Sequence, residues 1–134
     1  MAKVKEIEGI GPAYAEKLSA AGLTTTEALL EAGATPKGRA DLAAKTGISD
    51  KLILRWVNMS DLFRLKGVGE QFSDLLEAAG VDTVAELAQR KAENLQAKMV
   101  EANAEKNLVR RVPTLAEVTS WVDQAKGLPR MVNY

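Results

Sequence analysis

Cysteine and histidine are both absent from this chain. Without them there is no disulfide, no thiol nucleophile, no thiolate or imidazole metal ligand, and no Ser–His or Cys–His catalytic pair. Aromatic residues are scarce at 4%, so Ala, Leu and Val must fill most of the interior, which allows close helix–helix contact. No run approaches the roughly 20 apolar residues of a membrane span, and residues 1–6 hold no apolar signal core. No membrane association and a cytoplasmic location are the expectations. An excess of either charge is missing too: Lys plus Arg and Asp plus Glu stand at 18 each. Neutrality counts against a protein dedicated to coating duplex nucleic acid, which normally carries a basic surplus.

What is there suits a globular domain, or two small halves sharing a core: 134 residues, 46% of them apolar. The charge is unevenly spread. Residues 36–66 hold Lys37, Arg39, Lys45, Lys51, Arg55, Arg64 and Lys66 against Asp41, Asp50 and Asp61, a net of about +4. That stretch is either an electrostatic footprint or an ordinary solvated surface.

The chain repeats itself. Residues 7–31 align with residues 65–89, with eight identities in 25 positions, among them Gly9/Gly67, Gly11/Gly69, Leu18/Leu76 and Gly22/Gly80. Tyr14 and Phe72 match in kind. Further on, Trp56-Val57 parallels Trp121-Val122, each preceded seven residues earlier by a helix-capping residue, Ser49 or Thr114. The second half is longer by about seven residues, placed by the alignment between Lys91 and Arg111.

Helical spacing dominates and no long alternation suggests strands. Pro12 predicts a helix start, and Tyr14, Leu18 and Ala21 share one face of that helix. Gly22 is expected to stop it in a left-handed turn. Thr24-Thr25-Thr26-Glu27 reads as a capping box for a connector helix ending near Gly33. Residues 36–45, the helix capped by Ser49, residues 83–90, residues 94–107 and the helix capped by Thr114 complete the expected set. Gly127 and Pro129 end the last helix, and residues 130–134 read as an extended tail.

Gly-hydrophobic-Gly between two helices has a definite use. Glycine permits positive φ and leaves backbone amides uncovered, and the following helix start adds the positive end of its dipole. At this point the chain resembles the helix-hairpin-helix superfamily, through Ile7-x-Gly9-Ile10-Gly11-Pro12-x-x-Ala15-x-Lys17-Leu18. Across nearly its whole length it resembles an uncharacterised bacterial family with tandem motifs of this kind, a domain of unknown function. The resemblance implies an all-α fold of duplicated tandem helix-hairpin-helix units packed into one compact helical domain. The halves would be 1–64 and 65–127, with a tail over 128–134.

The resemblance also implies DNA binding without regard to sequence, through hairpin amides and nearby Lys or Arg on phosphate, in a role accessory to repair or replication. Carried over to this sequence, the DNA phosphate-binding residues are Gly9, Gly11, Ala13 and Lys17 at the first hairpin. Gly47 of the 46–49 turn joins them, with Lys51 and Arg55 close to that turn in sequence. Some hairpins of the superfamily hold a monovalent cation on carbonyl oxygens, which makes the first hairpin a candidate for one; no other cofactor or metal is implied. The second hairpin has Glu70 where Pro is usual and Leu75 at the position of Lys17, with Asp74 and Glu77 nearby. It reads as structural.

Each residue has a plainer reading. Gly9 and Gly11 could serve only a tight turn, and Lys17 could be simply solvated. Trp56 and Trp121 read as core rather than base-stacking residues, and Arg110-Arg111 as a solvated loop. The alternative function is a protein-interaction or scaffold module that has kept the fold and lost DNA. No spacing suggests a catalytic constellation, so the chain is not expected to be an enzyme, although a Schiff-base lysine is compatible with its composition.

Overall fold

Threonine, serine, proline and glycine decide where the helices of this protein start and stop. In the computed structural model, which describes residues 3–7 and 9–134, the described residues form eight α-helices and no strand. They gather into two compact units. The first comprises Met1–Asp61 with Met131–Tyr134, the second Leu62–Arg130. The last four residues, expected as part of a separate tail, thus belong to the first unit.

The first unit opens with a single 3-10 turn, Val4–Glu6, followed by α1 (Pro12–Ala20), α2 (Thr26–Ala32), α3 (Pro36–Thr46) and α4 (Asp50–Leu62, its last residue in the second unit). Pro12 and Pro36 occupy first-turn positions, where a missing N–H breaks no helical bond. Thr35 Oγ1 accepts from Gly38 N–H, and Ser49 Oγ from Leu52 N–H. α2 starts one residue later than the capping-box reading: Thr25, not Thr24, is the cap and accepts from Ala28 N–H. The reason lies outside the helix. Val4 N–H donates to the Thr24 carbonyl and Lys3 forms an isolated bridge with Thr25, which keeps both threonines extended. Ile7, Leu18, Leu29, Ile53, Trp56 and Val57 form the buried centre of this unit.

Close approach in this unit depends on Gly33. A Cβ added there would collide with Val57 Cγ2, so the end of α2 reaches α4 only because that position is bare.

The second unit contains α5 (Glu70–Ala78), α6 (Val84–Leu87), α7 (Ala92–Lys106) and α8 (Leu115–Lys126). Its core joins Leu75 and Leu76 of α5, Leu95 and Met99 of α7, and Val118, Trp121 and Val122 of α8. α6 is one turn long rather than the expected 83–90, because Gln89 and Arg90 close back in three-residue steps onto Glu86 and Leu87. α7 begins at Ala92 instead of Asn94. It has 15 residues against 11 in α3, so part of the extra length of the second half is helix. The rest is the loop after Asn107, a left-handed residue at φ +52°, which Asn103 closes by bonding both main-chain groups of Val109.

Candidate nucleic-acid interface

The first turn of unit one is built from inside outward. Ile7 and Ile10 are buried and tied together by a bond from Ile10 N–H to the Ile7 carbonyl at 3.1 Å. Between them Gly9 adopts φ +93°, a conformation that costs any L side chain strain. Gly9 and Gly11 are therefore pushed to the surface, and both are exposed. Gly11 is the N-cap of α1, with no side chain to satisfy the first-turn amides. A Cβ built on Gly11 would meet nothing within 4 Å, so the position that caps the helix is open among the described residues. Ala13, in that first turn, is exposed as well.

Two cations stand beside this turn. Arg55 of α4 lies over Gly9: a Cβ added at Gly9 would sit 3.1 Å from Arg55 Nη1. Lys17 is exposed on α1, its Nζ 5.8 Å from the centre of the Tyr14 ring, and Tyr14 in turn stands edge-on to Trp56 with ring centres 5.1 Å apart. Lys51, exposed, precedes Arg55 by one helical turn on the same side of α4. Gly47 is the left-handed end of α3 at φ +74°, exposed and with no atom near its Cβ position. The structure thus places Gly9, Gly11 and Ala13 in one turn with Arg55 against Gly9, while Lys17 stands further along α1 beside Tyr14. It reaches Lys51 through α4, while Gly47 marks the start of the connection into that helix.

Trp56 is core, as its place on an apolar helix face predicts: it is 1% exposed. Less expected is the state of its ring nitrogen. Among the described residues Trp56 Nε1 is buried without a hydrogen-bond acceptor, and it lies 3.7 Å from the Cβ position of Gly9. An orphaned donor under a glycine turn is costly unless the turn itself shifts to meet it. The signal in the sequence was the repeat: Trp121 Nε1 lies 3.3 Å from the Cβ position of Gly67 in the same way.

The second turn copies the first in backbone and differs in surroundings. Gly67 has φ +89°, Val68 N–H donates to Leu65, and Gly69 caps α5 without a side chain. Phe72 tilts onto Trp121 at 5.3 Å. However, Glu70 stands in the first turn of α5 and Leu75 is buried where α1 has exposed Lys17. The main chain at this turn is also occupied, because Gln124 Oε1 accepts from Lys66 N–H at 2.9 Å and its Nε2 reaches the Lys66 carbonyl.

The other basic candidates separate. Arg39 is buried, donating to the carbonyls of Gly33 and Asn133. Arg64 donates to the Pro129 carbonyl. Arg111 makes two bonds to the Glu117 carboxylate and lies over the Phe72 ring. Arg111 and the Thr114 amide together hold the Glu117 carboxyl down at about 2. Among the described residues no group of His, Cys, Asp or Glu side chains converges as a metal site, and no helix is long and apolar enough to cross a membrane.

No curated protein and no solved structure matches this chain. A family profile does match residues 8–128, spanning both glycine turns and all the helices just described. The chain belongs to the family described as Domain of unknown function (DUF4332).

Proposed function

We propose that the Gly9–Gly11 turn binds the phosphate backbone of DNA without reading its sequence, as a helix-hairpin-helix element would. The observation that carries this reading is the open, uncapped start of α1 at Gly11, with the Arg55 guanidinium against the neighbouring Gly9. Bare first-turn amides attract an anion, and Lys17 and Lys51 add charge without base contacts. The role is non-catalytic. The matched backbone of the second turn supports a duplicated architecture, in which that copy has a structural part.

Fluorescence anisotropy with a short labelled duplex tests the proposal. Gly11 has ordinary φ of −80° and open space at its Cβ, so Gly11→Val is expected to keep the fold while adding bulk at the cap of α1. Lys17→Glu reverses an exposed charge. Each change is expected to weaken binding by about fivefold or more at 50 mM salt. Binding indifferent to both changes would refute this site.

A second reading, a protein-interaction module, draws on the neutral charge and on the Gln124 clasp that occupies the second turn. Absence of any DNA binding at low salt would select it.

A further inference from the structure

Arg39 is the most deeply buried cation described in the first unit, and one of its two described bonds goes to a residue far along the chain, Asn133. Its Nη1 donates to the Gly33 carbonyl at 2.9 Å and its Nη2 to the Asn133 carbonyl at 2.8 Å, across 94 residues of sequence. Asn133 N–H donates to the Ala34 carbonyl at 2.8 Å. Both main-chain groups of Asn133 are therefore read by unit one, much as an added strand is read at a sheet edge. Beside this rung Val132 is 2% exposed, and Tyr134 Oη reaches Asn58 Oδ1 at 3.4 Å. Residues 131–134 are in no helix.

We propose that the corner formed by Gly33, Ala34, Arg39 and Asn58 is a binding site for an extended peptide, which the chain fills with its own residues 131–134. Its ligand class follows from the contacts. One position must expose both N–H and C=O, the preceding side chain must be small, apolar and β-branched, and the following one aromatic with a hydroxyl. A partner protein presenting such a segment displaces the tail. Release is expected to be separable from unfolding because residues 131–134 are in no helix and Arg39 keeps its Gly33 bond while water replaces the other. This site is independent of the Gly9–Gly11 turn.

The test uses the full chain carrying Val132→Asp, which puts a carboxylate into the apolar seat and frees the tail. A fluorescein-labelled peptide of residues 128–134 is titrated against it and against the unaltered chain. The Val132→Asp protein should bind at least tenfold more tightly than the unaltered chain, whose own tail competes. Adding Arg39→Ala, or placing Asp at the Val132 position of the peptide, should abolish the gain. Equal binding by both proteins overturns the proposal, and so does no binding by a Val132→Asp chain of unchanged circular dichroism. A Val132→Asp chain that fails to fold also overturns it, since the tail would then be part of the core. Amide exchange of the unaltered chain gives an independent reading. Asn133 N–H should exchange at least tenfold faster than the amides of Ile53, Trp56 and Val57; equal rates would mean the tail leaves only with global unfolding.

Discussion

At Gly9 the backbone conformation and the neighbouring side chains make the same demand. A φ of +93° and an Arg55 nitrogen 3.1 Å from the Cβ position both reject a side chain. Gly9→Ala should cost about 1–3 kcal/mol, read as a lowered thermal midpoint. Gly11→Ala, with ordinary φ and open space, should cost well under half of that. Equal losses at the two glycines would mean that the turn is held by something other than backbone geometry. Arg39 is the second residue where one position decides much. Arg39→Ala removes two charge-assisted bonds and leaves a buried Gly33 carbonyl without its donor, a loss of about 2–4 kcal/mol by chemical denaturation.

The termini of the elements carry their own prediction. α8 begins with Thr114 Oγ1 accepting from Glu117 N–H and the Glu117 carboxylate accepting from Thr114 N–H, a complete capping box, with Arg111 bonded to the same carboxylate. The Glu117 pKa is about 2 in the folded chain, below the roughly 4.3 of an unfolded glutamate. The unfolded state therefore binds more protons between those values. This contribution is full above about pH 4.5 and is lost as pH falls towards 2. Because the carboxylate is partly exposed, it is modest, under about 1 kcal/mol. Glu117→Gln should flatten the acid limb of a stability-versus-pH curve; an unchanged limb would place the acid sensitivity elsewhere. Asp82 works in the opposite sense. Burial first, then Glu86 and Glu77, raise its carboxyl, so its contribution falls as pH rises.

Element ends were largely legible because they depend on local chemistry. Pro12, Pro36, Ser49 and Thr114 start helices where the sequence predicts, and Gly22, Gly47 and Gly80 adopt positive φ. The shift of the α2 cap to Thr25 was not legible, since it follows from the pairing of Thr24 with Val4, twenty residues away. The site was legible in part. Gly9, Gly11 and Lys17 stand within one motif, but the placement of Arg55 over Gly9 and the unpartnered Trp56 nitrogen depend on how α4 packs. Arg39 looked like a surface charge because nothing local reveals that residues 131–134 return to it.

For the molecule as a whole, neutrality constrains how DNA could be held. Of the basic residues in 36–66, Arg39 is buried under the tail and Arg64 donates to the Pro129 carbonyl. The proposed interface draws on three cations: Arg55 at Gly9, which also has a partner of its own, Lys51 one turn before it on α4, and Lys17 further along α1. Each phosphate neutralised releases counterion, so three contacts predict a slope of log K against log salt near −2.7, or a loss of about 40-fold between 50 and 200 mM. Amides carry no formal charge, so they raise affinity without steepening that slope. Lys51→Ala should lower the slope by about one, whereas Gly11→Val should weaken binding at every salt concentration and leave the slope unchanged. A slope beyond about −6 would require cations outside this turn. A flat dependence would remove phosphate from the interaction altogether, and with it the reason for an exposed, uncapped Gly11.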